Sequence, residues 1–171
     1  MSTPDGESGS PAAVRRWREP TSLLPLRWGT YRERLLAGLC LIVSGGIATA
    51  GSNYASTWLL YLGLGVHVLG WCIVPSAGWR RIVAVAPATL FTLALLAGPR
   101  FLVGLVVPYL CWLLVRHRPL IAYPTAVLVL TAAIALGELL RDYRGMLLAL
   151  SIEFAVMVGS AWIAWLIARG R

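Results

Sequence analysis

Three ionisable residues inside long apolar runs are the ones that could do chemistry in this chain. They are His67, Glu138 and Glu153. A charged side chain at the centre of a membrane helix costs about 2.5–3.5 kcal/mol on insertion scales, so such residues usually face the protein interior or water. The sequence therefore predicts a candidate intramembrane polar site built from these three residues.

Glu153 is the deepest acid, roughly seven residues and 10 Å into the last predicted helix. As a functional residue it would bind a proton or a cation. The alternative is a structural carboxyl that pairs with an arginine or hydrogen-bonds to a neighbouring helix, and we favour it because structural ion pairs are common. The candidate charge partners are Arg100, Arg141 and Arg144.

Glu138 and His67 have simpler structural interpretations. Glu138 precedes Arg141 by one helical turn, which predicts an ion pair at the helix end. Across the predicted hairpin Glu138 and Glu153 are offset by about five residues, roughly 7.5 Å, which argues against a carboxylate pair. His67 is favoured as a hydrogen-bonded packing residue, and the alternatives are one axial haem ligand or a proton relay with Glu153.

The sequence contains no recognisable motif for catalysis or for phosphate or metal binding. The nucleophile-elbow, phosphate-loop and zinc-protease motifs are absent. The three cysteines all lie within apolar runs and have neither metal nor redox spacing, so they are interpreted as small apolar residues. We expect no catalytic residue, no metal and no cofactor, although a lipid-modifying enzyme that uses His67 or Glu153 stays an alternative.

The elements that position these residues are membrane helices. Of 171 residues 58% are apolar and only 13% are charged. The apolar runs are continuous rather than alternating, which predicts helices and excludes a barrel. The fold class is an all-α integral membrane bundle of about six transmembrane helices. Helices 3 and 4 are short, roughly 23–25 Å against a core of about 30 Å, and could be re-entrant. The predicted helices cover 31–51, 56–75, 82–98, 101–115, 124–140 and 146–168.

Four regions follow along the chain. Residues 1–13 are a disordered tail, 14–34 a basic and aromatic membrane-surface segment, 35–168 the transmembrane domain and 169–171 a basic end. Thr30 and Glu33 form a capping-box pattern that starts helix 1 near Tyr31. The predicted contacts with lipid headgroups are Arg15, Arg16, Trp17, Arg18, Arg27 and Trp28.

The orientation follows from the arginines. The chain has 15 basic residues, all of them Arg, and a net charge of +8. Twelve of these arginines fall on the side of the predicted bundle that holds both termini, and three fall on the other. The positive-inside rule then predicts a plasma (inner) membrane protein with both termini in the cytoplasm. The use of arginine for every basic residue suggests a GC-rich bacterium. The positive net charge predicts contact with membrane lipids rather than nucleic acid.

The function predicted first is an accessory, scaffolding or assembly component without a catalytic site. It would pack with itself as a homo-oligomer or with a larger membrane partner. Small residues at four-residue spacing, which let helices approach closely, support this role. The alternative is a small transporter or channel with Glu153 as a proton- or cation-linked carboxylate. The small-residue pairs begin at Gly45, Gly46, Ala133 and Ala155.

Overall fold

The computed structural model describes Thr21 and residues 29–170, and this part of the chain is helical without any strand. The prediction of an all-α bundle of six helices is therefore confirmed. The predicted tail 1–13 and all six predicted headgroup contacts lie outside the described residues. The helices are α1 (Tyr31–Ala50), α2 (Thr57–Ile73), α3 (Gly78–Leu93), α4 (Val106–Val115), α5 (Ala126–Leu139) and α6 (Met146–Arg169).

Short 3-10 segments extend several of these helices. One follows α3 directly, and the others precede α2, α4, α5 and α6. They are Tyr54–Ser56, Ala94–Ala97, Pro99–Leu105, Leu120–Thr125 and Tyr143–Gly145.

Helix α1 begins where the capping box predicts. The Thr30 hydroxyl accepts a hydrogen bond from the Glu33 N–H at 3.3 Å, and the Glu33 carboxylate accepts one from the Thr30 N–H at 3.0 Å. These two bonds satisfy N–H groups that a helix start otherwise leaves without partners.

Helix α3 is longer than the sequence predicted. It begins at Gly78 rather than Ile82, and with its 3-10 end it forms a 20-residue apolar helix, Gly78–Ala97, so the expectation of a short helix 3 was wrong. The error came from placing Arg80 and Arg81 in a loop. Their guanidinium groups instead donate to the carbonyls of Leu114 and Cys72, at the ends of α4 and α2. Arginine can remain in a helix when its charged end reaches such carbonyls.

Helix α4 and the 3-10 segment before it have few residues, as predicted, but together they are nearly as long as the hydrocarbon core is thick. The apolar helix Pro99–Val115 starts with seven residues in the 3-10 conformation. A 3-10 helix rises about 2.0 Å per residue and an α-helix 1.5 Å, so the segment extends roughly 29 Å. A typical hydrocarbon core is about 30 Å thick. The 3-10 start therefore lengthens a helix that would otherwise be too short.

The first two helices pack backbone against backbone. A Cβ atom added to Gly45 would lie 2.5 Å from the backbone nitrogen of His67, and one added to Gly70 would lie 2.7 Å from the carbonyl oxygen of Gly38. Only glycine permits such approach, and close contact of this kind is typical of membrane helices. Helices α1 and α2 therefore form a closely packed pair within the bundle.

Side-chain size is distributed as expected for a protein in lipid. Buried positions on the helices are mostly small, such as Ala84, Ala88 and Ala149. Large apolar residues point outward instead, among them Ile82 and Leu120, which are 77% and 83% exposed. Within residues 29–170 five helices are long and apolar enough to cross a membrane, and together these features describe a multi-pass membrane protein.

The bundle has two chemically different ends. We call the first the arginine end; there the start of α1 meets the ends of α2 and α4 and the start of α3. The opposite Tyr143 end joins the α1–α2 turn to the α5–α6 turn, where the Tyr143 hydroxyl donates to the Leu96 carbonyl at 3.1 Å. The placement of the arginine end in the cytoplasm stays a prediction. The described basic residues of the arginine end are Arg32, Arg34, Arg80, Arg81, Arg116, His117 and Arg118, with Arg169 at the end of α6.

Candidate intramembrane polar site

His67 lies on α2 and is almost completely buried, with 1% of its surface exposed. Its Nδ1 atom is 3.0 Å from the Ile42 carbonyl oxygen on α1. Its Nε2 atom is 3.1 Å from Nε1 of Trp71, one turn further along α2. Each ring nitrogen therefore has a partner.

These partners determine the protonation of the His67 ring. The indole N–H of Trp71 can only donate, so Nε2 of His67 accepts and carries no proton. A carbonyl oxygen can only accept, so Nδ1 carries the proton and donates to Ile42. The Thr92 hydroxyl, 3.4 Å from Nε2, donates to the Ala88 carbonyl at 2.8 Å. The ring is a neutral imidazole that hydrogen-bonds to α1 and α2 and lies against Thr92 of α3, and neither nitrogen is available to a haem iron.

Glu153 has the opposite environment. Its side chain is fully buried, at 0% exposure, and neither carboxyl oxygen has a hydrogen-bond partner in the described part of the chain. It lies on the inner face of α6, together with Ala149 and Leu150 of the preceding turn, which belong to an apolar cluster. Apolar surroundings that offer a carboxyl group no hydrogen-bond partner strongly disfavour its charged form.

The three arginines predicted as partners do not pair with Glu153. Arg141 forms an ion pair with Glu138, as the spacing of these two residues predicted, and both side chains are mostly exposed. Arg100 and Arg144 are also exposed, and within the described residues neither bonds to Glu153. Glu138 thus belongs to an exposed pair and not to a site shared with Glu153.

No hydrogen bond joins Glu153 to His67 either. A Cβ atom added to Gly46 of α1 would lie 3.7 Å from Thr92 and 3.9 Å from the ring of Phe154. Thr92 contacts His67, and Phe154 follows Glu153 in the chain, so the two surroundings approach each other at one point of α1. The atoms nearest to that point are a methyl carbon of Thr92 and a ring carbon of Phe154, so no hydrogen bond between described residues connects the two sites there.

Two cavities of about 420 and 380 Å³ lie at the Tyr143 end. The first is lined by residues of the α1–α2 turn, with Leu96 and Tyr143, and the second extends along α1 and α6 as far as Ala50 and Leu150. Neither cavity is lined by Glu153 or His67.

A cluster at the arginine end was missed by the sequence interpretation, which treated Arg116 and His117 as loop residues. Arg116 is 4% exposed, donates to the hydroxyl groups of Tyr31 and Thr21, and stacks over the ring of Trp112. His117 has a φ of 54°, the left-handed conformation that non-glycine residues rarely adopt. The pKa of His117 is lowered by partial burial and by the nearby charges of Arg80 and Arg116. The one signal in the sequence was the basic and aromatic composition of segment 14–34, to which Tyr31 belongs.

Metal-binding residues do not cluster in residues 29–170 or at Thr21. The cysteines there are free thiols, with Cys111 buried and Cys40 and Cys72 exposed.

No protein-family model matches the chain, and neither a curated protein nor a solved structure matches it. The fold alone therefore defines the class: an all-α bundle whose helices are apolar enough for a multi-pass membrane protein.

Proposed function

We propose that this chain is a non-catalytic, multi-pass subunit of a membrane assembly that packs with a second copy of itself through α6. The observation that carries the proposal is a row of small residues on the exposed side of α6, formed by Ser151, Ala155 and Gly159. A Cβ atom added to Gly159 would meet nothing within 4 Å.

The other rows of small residues already face another segment of the bundle. Gly45 faces α2 at backbone distance, and a Cβ atom added to Gly137 of α5 would lie 3.1 Å from the Pro99 carbonyl oxygen. Gly46 and Ala133 are buried as well. Wherever this pattern faces inward it accompanies close contact with another segment, whereas on α6 it faces outward.

A second copy is the partner that suits this face. Between Met146 and Ala168 the exposed side of α6 carries no charged residue, because Glu153 lies on the inner side and Arg169 stands at the end of the helix. A row of small residues is self-complementary in a two-fold dimer, since the same ridge and groove occur on both copies.

The alternatives receive less support. Transport through Glu153, or lipid chemistry at His67 and Glu153, would be supported by a water-filled cavity joining these residues. Neither His67 nor Glu153 lines either of the two cavities at the Tyr143 end.

The experiment is a measurement of self-association in lipid bilayers by energy transfer between differently labelled copies. We expect Gly159→Leu to weaken association on the order of tenfold, because helix contacts in membranes contribute about 1–2 kcal/mol. Gly65→Leu is the matched control, because Gly65 of α2 also has open space around it. The proposal would be overturned if the wild-type chain is monomeric. It would also be overturned if both variants self-associate as strongly as the wild type.

A further inference from the structure

We propose that Glu153 is a proton-binding site, which holds a proton in the closed bundle and exchanges it with water entering from the Tyr143 end. The observation behind this is the combination of complete burial, two partnerless oxygens and a cavity that ends one helical turn away. This inference concerns the inner side of α6 and is independent of the proposed dimer.

The bound species is a proton rather than a metal cation. Hard cations such as Ca²⁺ take six to eight oxygen ligands, and Mg²⁺ takes six. Glu153 has no second polar group within hydrogen-bond distance among the described residues. Ser160, the next buried and partnerless oxygen on this face, is two turns away, roughly 10 Å along α6. One carboxyl group alone suits a proton.

The groups around Glu153 do not stabilise a carboxylate. An unpaired buried carboxylate costs several kcal/mol, so the neutral acid is the form compatible with this site. Elements packed against α6, and the turn before it, carry titratable or charged residues, but none of them hydrogen-bonds to the Glu153 carboxyl group. These residues are Tyr31, Arg32, Glu33, Arg34, Cys40, Arg100, Tyr109, Cys111, Tyr123, Glu138, Arg141, Asp142, Tyr143 and Arg144.

The route for the proton starts at the 380 Å³ cavity. This cavity opens beside Tyr143 and Arg144 and reaches Ala50 and Leu150. Leu150 is 2% exposed and precedes Glu153 by three residues, about 4.5 Å along the helix axis. Leu150 is therefore the apolar barrier between the cavity and the acid.

Exchange is a simple acid dissociation. The O–H bond of the Glu153 carboxyl group breaks, the proton passes to a water molecule from the cavity, and the carboxylate keeps the electron pair. In the reverse step water returns a proton to the carboxylate and the neutral acid is restored.

The test is infrared difference spectroscopy of the full chain in lipid nanodiscs at neutral pH. We expect the C=O band of a protonated carboxylic acid in wild type, and its complete loss in Glu153→Gln. Glu138→Gln is the control and should keep the band, because Glu138 is exposed and paired. If Glu153→Gln leaves the spectrum unchanged in this region, Glu153 is ionised and the proposal is wrong.

A second measurement tests the route. Transfer into D₂O shifts the band as the acid exchanges, and its rate reports access of water. We expect roughly tenfold faster exchange in Leu150→Ala, equivalent to a barrier lower by about 1.4 kcal/mol. Leu113→Ala makes a similar cavity in the separate apolar cluster that Leu113 shares with Tyr109, and should not change the rate. Equal acceleration in both variants, or none in Leu150→Ala, would overturn access from the Tyr143 end.

Discussion

His67 and Glu153 are both buried ionisable residues in the same apolar bundle, yet their surroundings treat them differently. Both ring nitrogens of His67 have partners on α1 and α2, whereas neither oxygen of Glu153 has one in the described residues. The cost of burying a polar group depends on whether its hydrogen bonds are replaced. The hydrogen bonds of His67 therefore stabilise the bundle, whereas the burial of Glu153 without a partner lowers its stability.

The largest expected effect is the loss of His67. Replacement by Leu leaves the buried indole N–H of Trp71 without an acceptor, so we expect His67→Leu to lower the free energy of unfolding by about 2 kcal/mol. Denaturant titration in mixed micelles measures this change.

A double-mutant cycle sharpens the result for His67. Trp71→Phe removes the stranded donor, so the double variant should lose less stability than the sum of the single variants. Strict additivity would show that the bond between Trp71 and His67 contributes nothing.

The opposite sign is expected at Glu153. Glu153→Leu removes a partnerless polar group and keeps a similar volume, so we expect the free energy of unfolding to rise by about 1 kcal/mol. The same micelle titration measures it, with Glu138→Leu as a control that breaks only an exposed ion pair. A clear loss of stability in Glu153→Leu would mean that Glu153 has a stabilising partner and that the contrast with His67 is false.

The smallest effect concerns His117, a histidine outside the membrane-spanning helices. Its pKa is lowered in the folded chain from the ordinary value of 6.5, by partial burial first and then by Arg80 and Arg116. Below pH 6.5 the unfolded chain therefore binds more protons than the folded one, and stability falls as the pH falls. His117→Asn should reduce this loss, and Asn tolerates the left-handed backbone at this position.

Titrations of wild type and His117→Asn between about pH 8 and pH 5 measure this difference, because a free histidine titrates within that range. Identical pH dependence of the two proteins would contradict it.

Helix positions were predictable because local signals determine them. The capping box at Thr30 and Glu33 set the start of α1, and the apolar runs set the other helices to within a few residues, except at the starts of α3 and of the α-helical part of α4. The start of α3 was misplaced because Arg80 and Arg81 have helix-compatible partners only once α2 and α4 are beside them. The ion pair of Glu138 with Arg141 was predictable for the same reason as the capping box, since its two residues are one turn apart.

The sequence by itself determined that the chain is a bundle of membrane helices, because helix formation in lipid depends on the length and apolarity of each segment. It also determined which residues could carry charge or a proton inside that bundle. Only the tertiary structure decided that His67 is fully hydrogen-bonded and that Glu153 lacks a partner. The physical reason is that a hydrogen bond between helices requires two groups from distant parts of the chain to meet within about 3 Å. No local pattern of residues specifies that distance.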